Sequence, residues 1–119
     1  MRIYCKILIF MCLITLVGCV PPTLFNWGSY SSTLYSYKKD PTKKNLEEHK
    51  KSISHIIVDC ERRRLKVPPG VNAELGYYLA KEGKINESKD YFFKEEKLYP
   101  ESKVFVDKLL IELEKGAVK

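Results

Sequence analysis

Val71-Asn72-Ala73-Glu74-Leu75-Gly76-Tyr77-Tyr78-Leu79-Ala80-Lys81-Glu82-Gly83 is the stretch on which the fold turns. Leu75, Tyr78 and Leu79 stand at i, i+3 and i+4, the spacing of one helical face, and predict a helix from about Val71 to Glu82. Gly83 supplies the left-handed residue that ends it. Asn86 is a good N-cap for a following helix that carries Tyr91, Phe92, Glu95 and Leu98 toward Tyr99. Pro100 breaks that run and opens a last helix through Glu114, with Phe105, Leu109, Leu110 and Leu113 inward and Gly116 closing it.

Leu75-Gly76, Leu79, Gly83, Ser88, Phe92 and Pro100 stand at the offsets of a tetratricopeptide repeat, and each has a physical task. Leu75 and Leu79 fill the space between two helices, while Gly76 and Ser88 are small where those helices approach closely. Gly83 makes the turn, Phe92 plugs the middle of the second helix, and Pro100 starts the next. Asn72 stands where an aromatic is usual and Glu95 where an alanine is usual, so a generic helical hairpin is the alternative. A degenerate earlier copy would begin at Trp27, with Tyr30 and Leu34 three and seven residues on. One repeat cannot bury both of its faces. Flanking helices at 41–65 and 101–114 must act as neighbour and cap, or a partner must cover what they leave open.

Upstream, Tyr30, Leu34 and Tyr37 form a short helical stripe over residues 28–38. Asp40-Pro41 predicts an N-cap with proline at the first helical position. The long helix that follows reaches about Leu65, its apolar stripe being Leu46, Ile53, Ile56, Ile57 and Cys60, until Pro68-Pro69-Gly70 stops it. Nothing reads as a strand, so the expected class is all-α, built of antiparallel helical hairpins with short connections.

The N terminus reads as a lipoprotein signal peptide, residues 1–18. Arg2 and Lys6 precede an uncharged run from Ile7 to Val17. A helix of that length reaches about 16 Å against a hydrocarbon core about 30 Å thick, so a transmembrane helix is the weaker reading. Leu16-Val17-Gly18-Cys19 then resembles the bacterial lipobox, with cleavage after Gly18 and a diacylglyceryl group on Cys19. An ordinary secretory signal ending near a cysteine is the alternative. Val20, rather than aspartate, follows the cysteine, which in enteric-type bacteria resembles an outer-membrane address. A Gram-positive host would place the chain on the outer face of its single membrane. Residues 19–27 form a short tether containing Pro21-Pro22, at most about 28 Å from Cys19 to Trp27, and 28–119 form the helical domain.

Cleavage leaves about 100 residues, enough for one small domain. The whole chain carries 21 basic and 15 acidic residues, and the surplus gathers at Lys38, Lys39, Lys43, Lys44, Lys50, Lys51 and Arg62-Arg63-Arg64. The bland reading is a solvated helical face. Export makes nucleic acid an unexpected partner, so anionic lipid or an acidic protein face is the expected counterpart. Cys5 and Cys12 leave with the signal and Cys19 is spent on lipid, which leaves Cys60 as a buried small hydrophobe without an intramolecular disulfide.

No catalytic constellation emerges, and neither cofactor, metal nor small-molecule substrate is expected. His49 and His55 are six residues apart and point about 120° away from each other on a helix, which marks them as surface or half-buried side chains. Adjacent pairs such as Glu47-Glu48 and Glu95-Glu96 likewise diverge. A binding surface remains. On the repeat alignment Tyr77, Ala80 and Lys81 face a concave groove with Ala73 beside them, although Tyr77 could equally pack on the preceding long helix.

Phe25-Asn26-Trp27-Gly28-Ser29-Tyr30, and Val67-Pro68-Pro69-Gly70 running on into Val71-Asn72-Ala73-Glu74-Leu75-Gly76-Tyr77, resemble a family of small bacterial outer-membrane lipoproteins of unknown function with a tetratricopeptide-like helical domain. Members tend to be encoded beside two other lipoproteins, one of them similar to the curli secretion channel subunit. The resemblance implies an accessory subunit of an envelope complex, held on the periplasmic side of the outer membrane, and supplies no catalytic residue. The expected function is a non-enzymatic adaptor for another envelope protein. The alternative is a structural factor that binds cell wall or anionic lipid through the basic helix 41–65.

Overall fold

The computed structural model describes residues 24–116 together with Met1. The lipobox residues Leu16, Val17, Gly18 and Cys19, with the tether as far as Thr23, lie outside the described residues. Five α-helices follow in order: α1 Tyr30–Lys39, α2 Lys43–Arg63, α3 Val71–Lys81, α4 Ile85–Leu98 and α5 Lys103–Glu114, the last preceded by a 3-10 turn at Pro100–Ser102. The described residues are helical with no strand among them, as the patterning predicts.

Helix ends follow local chemistry, with two corrections. Thr42, not Asp40, caps α2: its hydroxyl accepts from the Asn45 amide, while Asp40 uses its carbonyl to receive the Asn45 side chain at 2.8 Å. Asn86 is no cap either, because α4 already begins at Ile85 behind Lys84. The tightness of the preceding turn explains this. Gly83, at φ 79°, donates to Ala80, and Lys84 donates to Leu79, a Schellman pair that leaves no spare residue before the next helix. The same motif ends α2, where Arg64 donates to Glu61 and Leu65 to Cys60. There the left-handed residue is Arg64 at φ 55°.

Successive helices run antiparallel. Ser29 meets Ser52 and Thr33 meets His49 between α1 and α2. Between α3 and α4, Gly70 meets Glu95 at one end and Gly76 lies against Phe92 in the middle. Between α4 and α5, Lys103 reaches Glu96 and Lys89 reaches Glu114. α3 is the central element, with seven of its eleven residues buried on two faces. On one side Val71, Leu75 and Leu79 join Ile53, Ile56, Ile57, Cys60 and Val67. On the other, Ala73 and Ala80 join Phe92, Val106 and Leu113. Burying each large aliphatic side chain contributes about 1.5–3 kcal/mol, so the two clusters hold α3 between α2 and α5.

Glu95, out of place as an alanine substitute, is buried at the N-terminal end of α3, where Oε1 accepts the Gly70 N–H at 2.7 Å. A carboxylate there meets an unpaired backbone donor and the positive end of the helix dipole. The Tyr99 hydroxyl donates to the Val67 carbonyl at 2.7 Å, so Glu95 and the residue capping α4 pin the end and the middle of the 64–70 connection. In α5 the inward residue is Val106, fully buried, whereas Phe105 is exposed. The expected stripe is rotated by one position there. Leu109 and Leu110 are half-buried and Leu113 buried.

A Cβ on Gly76 would stand 2.7 Å from Phe92 Cε1 and 3.0 Å from the Ser88 carbonyl oxygen. Gly76→Ala should therefore force the α3–α4 pair apart and cost about 1–3 kcal/mol. Thermal unfolding followed by circular dichroism should show the midpoint falling by at least about 5 °C; an unchanged midpoint would refute the close approach.

Candidate functional site

Tyr77 and Tyr78 leave α3 on different sides, and the structure separates their roles. Tyr78 faces α2, its ring centroid 6.2 Å from His49 and its hydroxyl 3.2 Å from Glu74 Oε1. Tyr77 instead lines a surface pocket of about 260 Å³ with Gly70, Ala73, Glu74, Phe105 and Leu109. It is 39 % exposed, and Phe105 across the pocket is 55 % exposed. Gly70, Ala73, Phe105 and Leu109 make the lining mostly apolar. Lys81 lies over the Tyr77 ring at 5.6 Å, a cation–π contact at the outer rim.

Ala73 and Ala80, expected on the open groove, are buried at 4 % and 5 %. The reason is α5, whose Val106 and Leu113 share a cluster with them. Ala73 still forms part of the pocket floor, but Ala80 is closed off. Phe105 is the pocket residue that periodicity missed, because its neighbour Val106 takes the inward position.

Behind the pocket, Glu74 is the hub of a polar network. Tyr30 donates to its Oε2 at 2.7 Å and Tyr78 to its Oε1, and His49 Nε2 lies 3.0 Å from the same Oε1. His49 Nδ1 is 2.9 Å from the Thr33 hydroxyl, which also reaches the Ser29 and Tyr30 carbonyls. The His49 side chain has no exposed surface, which corrects its reading as a surface or half-buried residue. Both ring nitrogens have partners within the fold. His55 is exposed. Burial, with the Glu74 hydrogen bond and charge adding to it, pushes the Tyr30 phenol up to about 12. Burial first, and Glu74 second, also pushes the Tyr78 phenol up. At the far end of α3, Lys50 of α2 pairs with Glu82 and with Glu47.

Cys60 is fully buried among apolar side chains, as its neighbours predict, and burial raises its thiol above the usual range. No group of three metal-ligating side chains occurs among the described residues. No helix among them is long and apolar enough to cross a membrane.

Five helices, a half-open apolar pocket and buried titratable groups spent on cohesion define a small helical domain. The chain belongs to the family described as a domain of unknown function, DUF4810, whose model matches residues 24–109. No curated protein and no solved structure is detectably similar to it.

Glu74→Ala removes the acceptor for two half-buried phenols and the partner of the buried His49, and should cost about 2–3 kcal/mol. The thermal midpoint should drop by about 10 °C or more, and a loss below about 2 °C would refute the hub. The raised Tyr30 pKa fixes the sign of the alkaline response. Stability is fully present below pH 10, the unfolded value, and is lost as pH rises from there through about 12. Tyrosinate absorbance should therefore show a late phase coincident with unfolding; complete tyrosine titration in the folded protein would contradict this.

Proposed function

We propose that the chain is a lipid-anchored, non-enzymatic adaptor of a bacterial cell envelope complex. The observation that carries the reading is the pocket between α3 and α5, where Tyr77, Phe105 and Leu109 surround a floor at Ala73. Its volume suits one large apolar or aromatic side chain of a partner. Exposed aromatics beside a cation are the composition found where proteins anchor partners. The pairing of buried His49 with Glu74 favours an adaptor over an enzyme, since both groups are engaged in holding helices together.

A tetratricopeptide-like reading of α3 and α4 draws support from particular contacts. Gly76 admits Phe92, Ser88 is buried, Gly83 makes the turn, and Pro100 opens the next helical segment. In that reading α5 is the first helix of a following unit, and the pocket is the start of the groove between successive first helices. Anchoring through Cys19, cleavage after Leu16-Val17-Gly18 and an outer-membrane position rest on the lipobox pattern. The partner implied by the family resemblance is another envelope lipoprotein, of the kind similar to the curli secretion channel subunit.

Crosslinking in intact cells, with a photoreactive residue at position 105 and mass spectrometry of the adduct, tests this directly. One discrete partner should be captured there and none from Tyr35 on the outer side of α1. Tyr77→Ala and Lys81→Glu should each reduce recovery at least about fivefold while leaving the melting temperature within a few degrees. Unchanged recovery with both variants would remove the pocket from the binding surface.

A further inference from the structure

The chain joins the helical domain at the C-terminal end of α2. Asn26 Nδ2 donates to Asp59 Oδ2 at 2.8 Å, and the same carboxylate accepts from Arg62 at 2.6 Å and Arg63 at 3.2 Å. Both guanidinium side chains remain largely in solvent, 76 % and 55 % exposed. Asp59 thus neutralises one charge and positions two. Arg64 and Lys66 follow, both exposed, so four of the five residues from 62 to 66 are cations. Leu24, two residues before Asn26, and Leu65 within the cationic run expose apolar side chains at the same end.

Arg64 adds an independent observation. It is the one non-glycine at positive φ among the described residues; the other four such positions are all glycine. Glycine would occupy that Schellman position without strain. The chain instead holds a cation there.

We propose that Arg62, Arg63, Arg64 and Lys66, with Leu24 and Leu65 beside them, form a docking face for an anionic phospholipid surface and orient the domain on the membrane that holds Cys19. This rests on the lipid anchor of the proposed function and is independent of the partner pocket. Seven peptide units separate Cys19 from Asn26, a reach of at most about 25 Å. The cationic run lies where the tether arrives and needs none of that reach. The other basic cluster, at Lys43 and Lys44, stands about 24 Å away along α2, at 1.5 Å per residue from Asp59. Bringing it to the bilayer would take the whole tether, stretched flat along the helix. Each guanidinium can bind a phosphate through two parallel N–H donors, and each basic residue near an anionic leaflet strengthens binding about fivefold. The two leucines suit the boundary between headgroups and acyl chains.

The mature chain with Cys19→Ser, unable to carry lipid, should sediment with vesicles of phosphatidylcholine and phosphatidylglycerol but not with phosphatidylcholine alone, in about 0.1 M salt. Arg64→Gly should weaken that binding about fivefold while raising the thermal midpoint, two opposite signs that a purely structural role would not give. Arg62→Gln/Arg64→Gly should weaken it about twentyfold, whereas Lys43→Gln/Lys44→Gln, an equal change in charge, should weaken it less than about threefold. Equal weakening by the two pairs, or no binding to the anionic vesicles, overturns the docking face. So does a duplex oligonucleotide that displaces the vesicles and stays bound at a salt concentration that strips them. The anchor is read separately, from the intact mass of wild-type and Cys19→Ser protein extracted from membranes. An unmodified wild-type mass overturns the orienting role, whatever the vesicles show.

Discussion

Glu74 accepts from Tyr30 of α1 and Tyr78 of its own helix and faces His49 of α2, and α1 has little else to hold it. That helix has ten residues and no fully buried side chain. Its attachments include hydrogen bonds from Ser29 at its start to Ser52, Thr33 to His49 and Tyr30 to Glu74, and Tyr30 packs against the α2–α3 cluster with its ring tilted against Trp27 and His49 at centroid distances of 5.3 and 5.2 Å. A partly buried carboxylate is costly unless its lone pairs are used, and here they are used by Tyr30, Tyr78 and His49. The same Glu74 also forms one wall of the Tyr77–Phe105 pocket. The contact that secures the first helix therefore also shapes the candidate binding surface.

The second constraint is the two-sided burial of α3. A helix flanked by neighbours on opposite faces must be narrow somewhere, and Gly76 is where Phe92 of α4 crosses it. Larger side chains at Leu75 and Leu79 then turn toward α2 and small ones at Ala73 and Ala80 toward α5. The pocket exists because Ala73 leaves room between α3 and α5, and Phe105 and Tyr77 stand on either side of that gap. Fold and candidate site are thus consequences of one distribution of residue sizes along eleven positions.

Apolar periodicity made all five helices legible, and Gly83 and Pro68-Pro69-Gly70 located their turns to within a residue or two. What escaped was polar burial. His49 meets Glu74 twenty-five residues away, and Glu95 meets Gly70 at the same separation, so neither leaves a local pattern. A histidine or glutamate within a charged helix reads as solvated until the partner helix is in place. Phe105 and Val106 failed differently. Adjacent residues lie about 100° apart on a helix, and with Leu109, Leu110 and Leu113 downstream either could have begun the stripe. Which one turns inward depends on the gap that Ala73 leaves, a property of α3 rather than of α5. Tyr77 and Tyr78 posed the same ambiguity, resolved by the position of His49.

The Asn26–Asp59 hydrogen bond has a mechanical side. If the domain hangs from a lipid at Cys19, any pull by a partner on the far side runs through residues 20–26 into that bond and then into α1. Among the described helices α1 has no fully buried side chain, while the clusters on either side of α3 lie beyond it. Load would peel α1 from α2 one hydrogen bond at a time and lengthen the leash before it reached the packed core. Ten helical residues span about 15 Å and, drawn out, about 35 Å. The first helix would then serve as a reserve of slack between membrane and partner, released under tension and taken back when the pull ends.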